Sequence, residues 1–351
     1  MTAVHRDVVA VGASAGGVEA LRALAGGLPP DYAGAVLLVL HLPRDAPTAL
    51  PSIIARSGPL PATLAIDGEP LRQGRIYIAP NDRHLLVIDG HIRLGRGPTE
   101  NGHRPAIDPL FRSVARAYAA RAVGVVLSGA RDDGAAGLAR IAAHGGTTVV
   151  QDPADALYPS MPRAAIEQLT PDHVVPAAKL GSLLAEITAQ DVPVGPPTLA
   201  DTLLDAEVAM SGLAPITTAD LPVAPAGYGC PSCGGSLFEI TDPLVPRYRC
   251  RVGHAWSPDS LLDEQAIALE GALWMALRAL EEKSALSRRM AEDRRDRRST
   301  TGARFRDIAD EAEAAGATIR DLIGRIGSAG ESGGAAAAPA RPAQAAAPDV
   351  R

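Results

Sequence analysis

The chain has 351 residues, a hydrophobic fraction of 46% and a formal net charge of -6. This length predicts two folded units, and the acidic balance provides no electrostatic basis for binding nucleic acid or an anionic membrane. No apolar stretch reaches the roughly 18 uncharged residues of a membrane span, and no signal-peptide pattern opens the chain, so we expect a cytoplasmic protein with no membrane insertion.

Up to about Ile187 the chain alternates short β-branched apolar runs with helical patterns. This alternation predicts an α/β fold with a doubly wound, mostly parallel sheet. Asp89-Gly90, between two apolar runs, predicts an antiparallel hairpin. Asp108 and Pro109 predict the capped start of a helix. The predicted strands are Val8–Gly12, Ala35–Leu40, Arg75–Ala79, Val123–Leu127, Thr147–Gln151 and Val174–Pro176.

The remaining third of the chain divides by composition. A Pro-, Ala- and Thr-rich stretch predicts a linker with little structure over 189–227, followed by a small zinc-ribbon-like module over 228–256. Ser257-Pro258 then begins a helical pattern, and 257–326 is predicted as a helical hairpin or as a pair of helices through which the protein self-associates. The Gly-, Ala- and Pro-rich tail, 327–351, is predicted to be disordered. The near-heptad leucines of the first helix are Leu262, Leu269, Leu273 and Leu280.

The first predicted strand runs into Gly12-Ala13-Ser14-Ala15-Gly16-Gly17. A strand that breaks into Gly-x-Ser-x-Gly before a helix presents a nucleophilic serine at the carboxyl edge of a sheet. The same letters also fit a degenerate dinucleotide loop, which binds a pyrophosphate at a helix N-terminus. That fold ends its second strand in an acidic residue, whereas this one ends in His41, which disfavours a nicotinamide-dependent oxidoreductase.

Ser14, His41 and Asp133 each follow a different predicted strand. A serine nucleophile needs a base, and the imidazole needs a carboxylate that fixes its tautomer. Taken singly, the serine fits a helix cap, the histidine a loop residue, and Asp132 or Asp133 an N-cap ahead of a helix. Because the carboxyl ends of neighbouring parallel strands form one crevice, the three together predict a catalytic triad. Glycine-rich turns after Ser14 or around Gly129 are the candidate oxyanion donors.

Taken in combination, these segments resemble the catalytic domain of the CheB-type chemotaxis methylesterases over residues 6–188. The motifs that carry the resemblance are Val11-Gly12-Ala13-Ser14-Ala15-Gly16-Gly17, Leu40-His41-Leu42-Pro43, Ile76-Tyr77-Ile78-Ala79-Pro80, His103-Arg104-Pro105-Ala106-Ile107-Asp108-Pro109-Leu110-Phe111, Leu127-Ser128-Gly129 through Asp132-Asp133-Gly134, and Met161-Pro162.

The resemblance implies a protein-glutamate methylesterase without a catalytic cofactor. Its substrates would be glutamyl methyl esters on the cytoplasmic helices of methylated chemoreceptors, with glutamine deamidation as an additional activity of some members. It implies Ser14 as nucleophile, His41 as base and Asp133 as the orienting carboxylate. A chemosensory kinase or a methyltransferase is a further candidate partner. No receiver domain is expected ahead of residue 6, so the family's phosphorylation switch is not expected in this chain.

Three positions depart from the usual pattern of the resembled family. Ala15 stands where many members have threonine, Leu40 where glutamine often precedes the histidine, and Arg131 where glycine is usual. The first two changes remove polar groups near the site. They motivate an alternative function, a catalytically weak or inactive adaptor in a chemosensory or phosphorelay complex.

All three cysteines lie in one short segment. Cys230-x2-Cys233 is followed after sixteen residues by Cys250-x3-His254. Two such knuckles provide four ligands for a tetrahedral structural Zn2+ with no open position. The alternative is three free thiols beside a surface histidine. A redox Cys-x-x-Cys is disfavoured because no βαβ unit surrounds it. The module is too short to fold on its apolar core alone, so zinc would supply much of its folding free energy.

Overall fold

The computed structural model describes residues 4–45, 49–192, 201–214, 223–242, 244–292 and 300–334. The chain forms two compact units that divide after Glu264. Within the described ranges, no helix has the length and apolar character to cross a membrane.

The described strands and helices are as follows in chain order. The strands are β1 (Val4–His5), β2 (Val8–Ala13), β3 (Ala35–Leu40), β4 (Ala62–Leu64), β5 (Arg75–Ile78), β6 (His84–Ile88), β7 (His91–Gly95), β8 (Ala122–Val126), β9 (Thr147–Gln151), β10 (His173–Val175), β11 (Asp191–Val192), β12 (Val223–Gly229), β13 (Ser236–Ile240), β14 (Arg247–Cys250) and β15 (Ala255–Trp256). The helices are α1 (Gly17–Gly26), α2 (Leu50–Ser57), α3 (Ile107–Tyr118), α4 (Ala135–Ala143), α5 (Ser160–Gln168), α6 (Ala177–Thr188), α7 (Thr202–Ser211), α8 (Pro258–Glu292) and α9 (Thr300–Gly334).

A seven-stranded parallel sheet forms the centre of the first unit, in the order β10-β9-β8-β2-β3-β5-β4. Successive residues of a strand point to opposite faces, so the buried strand β2 contributes to two cores. Val9 and Val11 belong to the core that includes α1 and α6, whereas Ala10 belongs to the core that includes α3 and α4. This architecture confirms the predicted doubly wound α/β class.

The Asp-Gly hairpin is also confirmed, as β6 paired antiparallel with β7. Asp89 and Gly90 both have positive φ, 50° and 72°, as the predicted turn type requires. The sequence analysis missed β4, which has three residues and lies at the edge of the sheet. Such a short strand, with one buried residue, carries almost no periodicity.

The linker predicted over 189–227 contains a helix, α7, so the expectation of little structure is wrong there. Asp201 caps α7 by accepting a hydrogen bond from the backbone N–H of Leu204 at 2.9 Å. Glu207 is fully buried and accepts hydrogen bonds at 2.8 and 2.7 Å from Arg247 of β14. Because α7 buries a carboxylate as well as apolar residues, its hydrophobic periodicity is weak. Residues 193–200 and 215–222 of the predicted linker lie outside the described residues.

The cysteine-containing segment forms an antiparallel sheet, β12-β13-β14-β15, within the first unit. Its core is small and includes two of the predicted ligands. The buried residues of this core are Cys230, Leu237, Cys250, Trp256 and Leu261. The predicted cap of the following helix is confirmed, because the Ser257 hydroxyl accepts a hydrogen bond from the backbone N–H of Ser260 at 3.1 Å.

In the second unit, the part of α8 that begins at Gln265 pairs with α9. Ion pairs of Arg288 with Glu313 and of Glu281 with Arg320 place the two helices antiparallel, as expected for a hairpin. The seam differs from the heptad prediction, because Leu277, Ala309 and Ala312 are buried while Leu262 and Leu269 are exposed. Small residues permit a closer approach of the two helices than leucines would.

The second helix also runs beyond the predicted end of the hairpin. α9 continues to Gly334, so the predicted disorder is wrong for residues 327–334. Extending an existing helix by one residue costs far less than starting a new one. The rest of the predicted tail, residues 335–351, lies outside the described residues.

Candidate active site

Ser14 lies in the turn between β2 and α1, at the carboxyl edge of the sheet. Its backbone N–H donates to the carbonyl oxygen of Ser128 at 3.0 Å, which joins it to the loop after β8. Gly16 in the same turn has φ 68°, and a Cβ there would lie 2.8 Å from the Cβ of Leu157. Only glycine satisfies both conditions, so the Gly-x-Ser-x-Gly spacing follows from the geometry of the turn.

His41 directly follows β3, the neighbour of β2 in the sheet. The parallel register places Ala13 opposite Leu40, and the backbone N–H of His41 donates to the carbonyl oxygen of Ala13 at 3.1 Å. His41 and Ser14 therefore follow directly after residues that are paired across the two strands. Its side chain is 5% exposed, and its Nε2 lies 2.9 Å from Asp133 Oδ2.

Asp133 follows β8, the other neighbour of β2. The sheet therefore has its topological switch point at β2, where ligand sites form in such folds. Asp133 Oδ2 also accepts from the backbone N–H of Ile107 at 2.6 Å, and Oδ1 accepts from Asn101 Nδ2 at 3.1 Å. Burial alone would raise the pKa of Asp133, but the hydrogen bond and charge of His41, together with the Ile107 N–H, hold it below its usual value.

Asp108, predicted to cap α3, instead binds the start of α4. Its Oδ1 accepts hydrogen bonds from the backbone N–H groups of Gly134 and Gly137 at 3.1 and 2.6 Å. Asp133 takes the expected place at the start of α3, since it accepts from Ile107. Burial, and then the nearby Asp133 carboxylate, raise the pKa of Asp108 to about 8.

Ser14 and His41 line a common cleft of about 470 Å³. The described residues show no hydrogen bond between the serine hydroxyl and the ring, because Nε2 is paired with Asp133 and Nδ1 is buried without a partner. The Nε2 contact with a carboxylate favours the tautomer that carries its proton on Nε2. Nδ1 is then the nitrogen with a lone pair available to accept a proton.

His103 is a residue of the site that sequence reasoning missed. Its ring stacks on the His41 ring with centroids 3.7 Å apart and an interplanar angle of 12°. Burial, followed by the charge of His41, lowers the pKa of His103 to about 4, so the stacked ring is neutral at physiological pH. Arg104 next to it donates to Asp82 at 2.6 Å and to the Gly97 carbonyl oxygen at 2.9 Å. The His-Arg-Pro motif was the available signal, but it does not reveal a ring stack.

The four predicted metal ligands lie together. Their ligand atoms are all within 4.8 Å of one another. A tetrahedral zinc with Zn–S of about 2.3 Å and Zn–N of about 2.0 Å requires S···S distances of about 3.8 Å and S···N distances of about 3.5 Å. Cys233 Sγ and Cys250 Sγ are 3.7 Å apart, and His254 Nδ1 is 3.5 Å from Cys250 Sγ and 3.8 Å from Cys230 Sγ.

These distances fit a bound metal ion and exclude a disulfide, whose sulfurs would be about 2 Å apart. The hydrogen bond between Cys230 and Cys250 lowers the pKa of the Cys230 thiol and raises that of the Cys250 thiol, so of this pair Cys230 is the one that more readily becomes a thiolate.

A serine on a strand-to-helix turn, in a cleft with an imidazole that is paired to a buried carboxylate, is the arrangement of α/β serine hydrolases. The family model described as CheB methylesterase matches residues 9–184. The chain therefore belongs to the CheB methylesterase family, which confirms the resemblance found in the sequence.

Named relatives and a solved structure agree with this assignment. A protein of Anaeromyxobacter dehalogenans named protein-glutamate methylesterase/protein-glutamine glutaminase 2 is 40% identical over 186 residues, which are 53% of this chain and 54% of that protein. A protein of the same name from Xanthomonas oryzae pv. oryzae is 41% identical over 187 residues, 52% of each chain. The crystal structure of the Thermotoga maritima CheB methylesterase catalytic domain matches with a TM-score of 0.50 and 30% identity.

The extent of these matches differs between the two comparisons. The solved catalytic domain is covered over 99% of its length by 52% of this chain. The chain spans about half the length of the curated relatives that it matches.

Proposed function

We propose that this protein hydrolyses glutamyl methyl esters on other proteins through Ser14, His41 and Asp133. The observation that carries the proposal is the 2.9 Å contact between His41 and Asp133 at the edge of the cleft that contains Ser14. Activation of a serine requires a base that can reach its hydroxyl, and the unpartnered Nδ1 of His41 in the cleft shared with Ser14 is the candidate base. Membership of the family and the names of the relatives support the choice of ester.

The residues account for each proton in the reaction. Ser14 Oγ attacks the ester carbonyl carbon while His41 Nδ1 accepts the hydroxyl proton, and Asp133 stabilises the imidazolium through Nε2–H. The imidazolium then protonates the departing methoxide, which leaves as methanol, and the acyl group stays on Ser14 as an acyl-enzyme. Water attacks the acyl-enzyme with His41 again as base, and a glutamate side chain and free Ser14 result. His103 is neutral beside the imidazole, so it adds no opposing positive charge when the imidazolium forms.

One of the predicted oxyanion donors is already in use. The backbone N–H of Gly129 donates to the carbonyl oxygen of Tyr158 at 3.0 Å. A donor that is engaged in the resting site does not stabilise a developing oxyanion without first losing that bond. We therefore propose the turn after Ser14 as the oxyanion site rather than Gly129. Within that turn the N–H of Gly17 already donates to the Ser14 carbonyl oxygen at 2.9 Å, so the candidate donors are the N–H groups of Ala15 and Gly16.

We propose methylated cytoplasmic helices of chemoreceptors as the substrate, which places the reaction in the cytoplasm. Glutamine deamidation follows the same path with ammonia as the leaving group, and the names of the relatives include a glutaminase activity. A kinase or methyltransferase partner, and self-association through α8 and α9, stay predictions.

We further propose that Cys230, Cys233, Cys250 and His254 bind a structural Zn2+. The support is the agreement of their distances with a closed tetrahedral site. All four positions would be filled by protein, so such an ion is structural and takes no part in the ester chemistry. Metal analysis of the purified protein should find about one zinc per chain, and protein that folds without bound metal would contradict this proposal.

Ser14→Ala tests the esterase directly. The variant should release no methanol from methylated receptor and should not react with a serine-directed phosphonate. Ser182→Ala, which removes an exposed hydroxyl from α6, is the matched control and should behave as the unaltered protein does. If the unaltered protein itself neither reacts with the phosphonate nor releases methanol, the adaptor alternative replaces the esterase. Equal methanol release by Ser14→Ala would refute the serine mechanism.

A further inference from the structure

Both loops that support the catalytic pair contact the ten residues that directly follow His254. We call residues 255–264 the connecting segment, residues 99–104 the asparagine loop and residues 128–134 the aspartate loop. All three lie in the first unit. The connecting segment comprises β15 and the first residues of α8.

The asparagine loop is hydrogen-bonded to the connecting segment along its backbone. The N–H of Asn101 donates to the Ala255 carbonyl oxygen at 2.8 Å, and the N–H of Ala255 donates to Thr99 at 3.3 Å. The Asn101 side chain extends the connection to the catalytic carboxylate. Its Oδ1 accepts from the N–H of Ser257 at 2.9 Å, and its Nδ2 donates to Asp133 Oδ1 at 3.1 Å.

Asn101 is thus a buried amide with one end on the connecting segment and the other on the catalytic pair. Its φ of 51° is in the left-handed region, where asparagine is tolerated better than most residues. The same loop contains His103, whose ring stacks on His41. Movement of this loop would therefore displace neighbours of both His41 and Asp133.

The aspartate loop contacts the connecting segment through side chains. Ser260 Oγ donates to Asp132 Oδ1 at 2.6 Å, one residue before the catalytic Asp133. Arg131, with φ 62°, donates to Glu264 Oε2 at 3.3 Å. The residue that departs from the family's usual glycine at 131 therefore has a partner in this chain.

The predicted metal site is connected to the same region through Arg249, the residue before Cys250. Its Nη1 donates to the carbonyl oxygen of Gly253, which lies between the ligands Cys250 and His254, at 2.8 Å. Its Nη2 donates to Glu100, the neighbour of Asn101, at 3.0 Å. Arg249 is 1% exposed, so these bonds are shielded from water.

The module is attached to the rest of the first unit by buried ion pairs of Arg247 and Arg249 with Glu207, but its own apolar core is small. Two of the five buried residues of this core, Cys230 and Cys250, are predicted ligands. Two others, Trp256 and Leu261, belong to the connecting segment. A core of this size does not offset the entropy of ordering the chain without a metal ion. Loss of the ion should therefore release the connecting segment, and with it both loops.

We propose that metal occupancy of the Cys3His site sets the esterase activity by holding the connecting segment against the two loops, with Asn101 as the positioning residue for Asp133. This inference rests on the proposed function and on the proposed metal site. The ion acts on the position of side chains and not on the reaction. The closed ligand set and the path from Gly253 through Arg249 and Asn101 to Asp133 distinguish this role from chemistry at the metal.

The experiment compares the full-length zinc-loaded protein with the same protein after chelation and after zinc is added back. Backbone amide exchange of residues 99–104 should accelerate about tenfold or more without zinc, while exchange in β2 and β3 stays unchanged. The kcat of methanol release should fall roughly ten- to a hundredfold, as expected when catalytic groups are displaced by about 1 Å. KM should change little, and zinc should restore both readouts.

Two variants separate the metal from the positioning residue. Cys233→Ser removes the exposed ligand and should reproduce the zinc-free behaviour, whereas Ser232→Ala beside it should retain zinc, exchange and activity. Asn101→Gly removes the amide but keeps a residue that adopts the left-handed backbone of this position. The variant should retain zinc and show a lower kcat with an unchanged KM.

The outcomes are distinguishable. Identical exchange and kcat with and without zinc would overturn the inference, as would full activity of Asn101→Gly. If the zinc-loaded protein has no esterase activity but its loop exchange still depends on zinc, the connection between metal and loops holds and the proposed function fails.

Discussion

Asp133→Asn tests the electrostatic role of the carboxylate while retaining its shape. All four groups around the carboxylate are donors. The Oδ2 atom faces His41 Nε2 at 2.9 Å and the N–H of Ile107 at 2.6 Å. The Oδ1 atom faces Asn101 Nδ2 at 3.1 Å and the N–H of Asp108 at 3.4 Å. An amide must therefore direct its NH2 group at two donors in either orientation.

The distances select one orientation for the amide. At Oδ2 the NH2 would meet the Ile107 N–H at 2.6 Å, which is the less tolerable conflict. We expect the amide oxygen to face His41, so that the tautomer is retained and only the negative charge is lost. A unit charge about 4 Å from the imidazolium contributes about 4 kcal/mol at an effective dielectric constant of 20. A hydrogen bond to a charged group exceeds a neutral one by roughly 1–2 kcal/mol.

The expected loss of transition-state stabilisation is therefore about 2–4 kcal/mol. At 1.36 kcal/mol per decade this corresponds to a roughly 30- to 1000-fold decrease in kcat. A wrong imidazole tautomer would cost about 10⁴-fold. The assay is steady-state methanol release from methylated receptor, with phosphonate labelling as an independent measure of serine reactivity. A decrease of less than tenfold would refute the role of Asp133.

A second substitution tests the assigned orientation. Asn101→Asp, combined with Asp133→Asn, places an acceptor where the new NH2 group points and returns a negative charge to the site. The double variant should recover about five- to tenfold over Asp133→Asn alone. Asn101→Asp by itself sets two carboxylates about 3 Å apart and should lower activity. A double variant no better than Asp133→Asn would refute the donor and acceptor assignment.

Three further changes probe stability, pH and packing. Glu207→Gln leaves buried arginines without a full charge partner and should lower the unfolding free energy in urea by about 3–5 kcal/mol; Asp205→Asn, in an exposed pair on the same helix, should cost less than about 1 kcal/mol, and equal losses would contradict this account. The pKa of His103 is about 4 in the folded protein, against an ordinary value of 6.5. The unfolded chain therefore binds a proton more readily, so the unfolding free energy should fall by up to about 3 kcal/mol as the pH decreases from 6.5 to 4. His103→Phe should flatten that pH dependence of the unfolding free energy, and an unchanged slope would exclude this assignment. Gly129→Ala places a Cβ 2.0 Å from Met161 Sδ, so phosphonate labelling of the nucleophile should slow, while the unfolding free energy should fall by only about 1–3 kcal/mol. Unaltered labelling would show that the loop accommodates the methyl group.

Local patterns were sufficient for most of the sheet and for the identity of the candidate site residues. Strand residues such as Val8–Ala13 repeat at a period of two or form short apolar runs, and Asp89-Gly90 has the backbone preference of its turn. The spacing Cys-x2-Cys and Cys-x3-His specifies knuckles through chain geometry alone. Such signals lie within a few residues of each other, and for this reason a single sequence reports them.

Contacts between distant residues required the tertiary structure. His41 and Asp133 are 92 positions apart, and Asn101 and Ser257 are 156 apart. A buried polar side chain such as Glu207 of α7 is stable only with its partners, Arg247 and Arg249 of β14, so its own neighbours in sequence carry no trace of them.

The sequence by itself thus predicted the α/β class, the three strand-end residues and the four candidate metal ligands, because each depends on periodicity or on spacing along the backbone. Packing alone decided that Asp133 pairs with Nε2 of His41, that His103 stacks on His41, and that Asn101 connects the cysteine module to the Asp133 carboxylate. The physical reason is that hydrogen bonds and ring contacts in a buried site depend on which elements the fold makes neighbours, a property of the whole chain rather than of any segment.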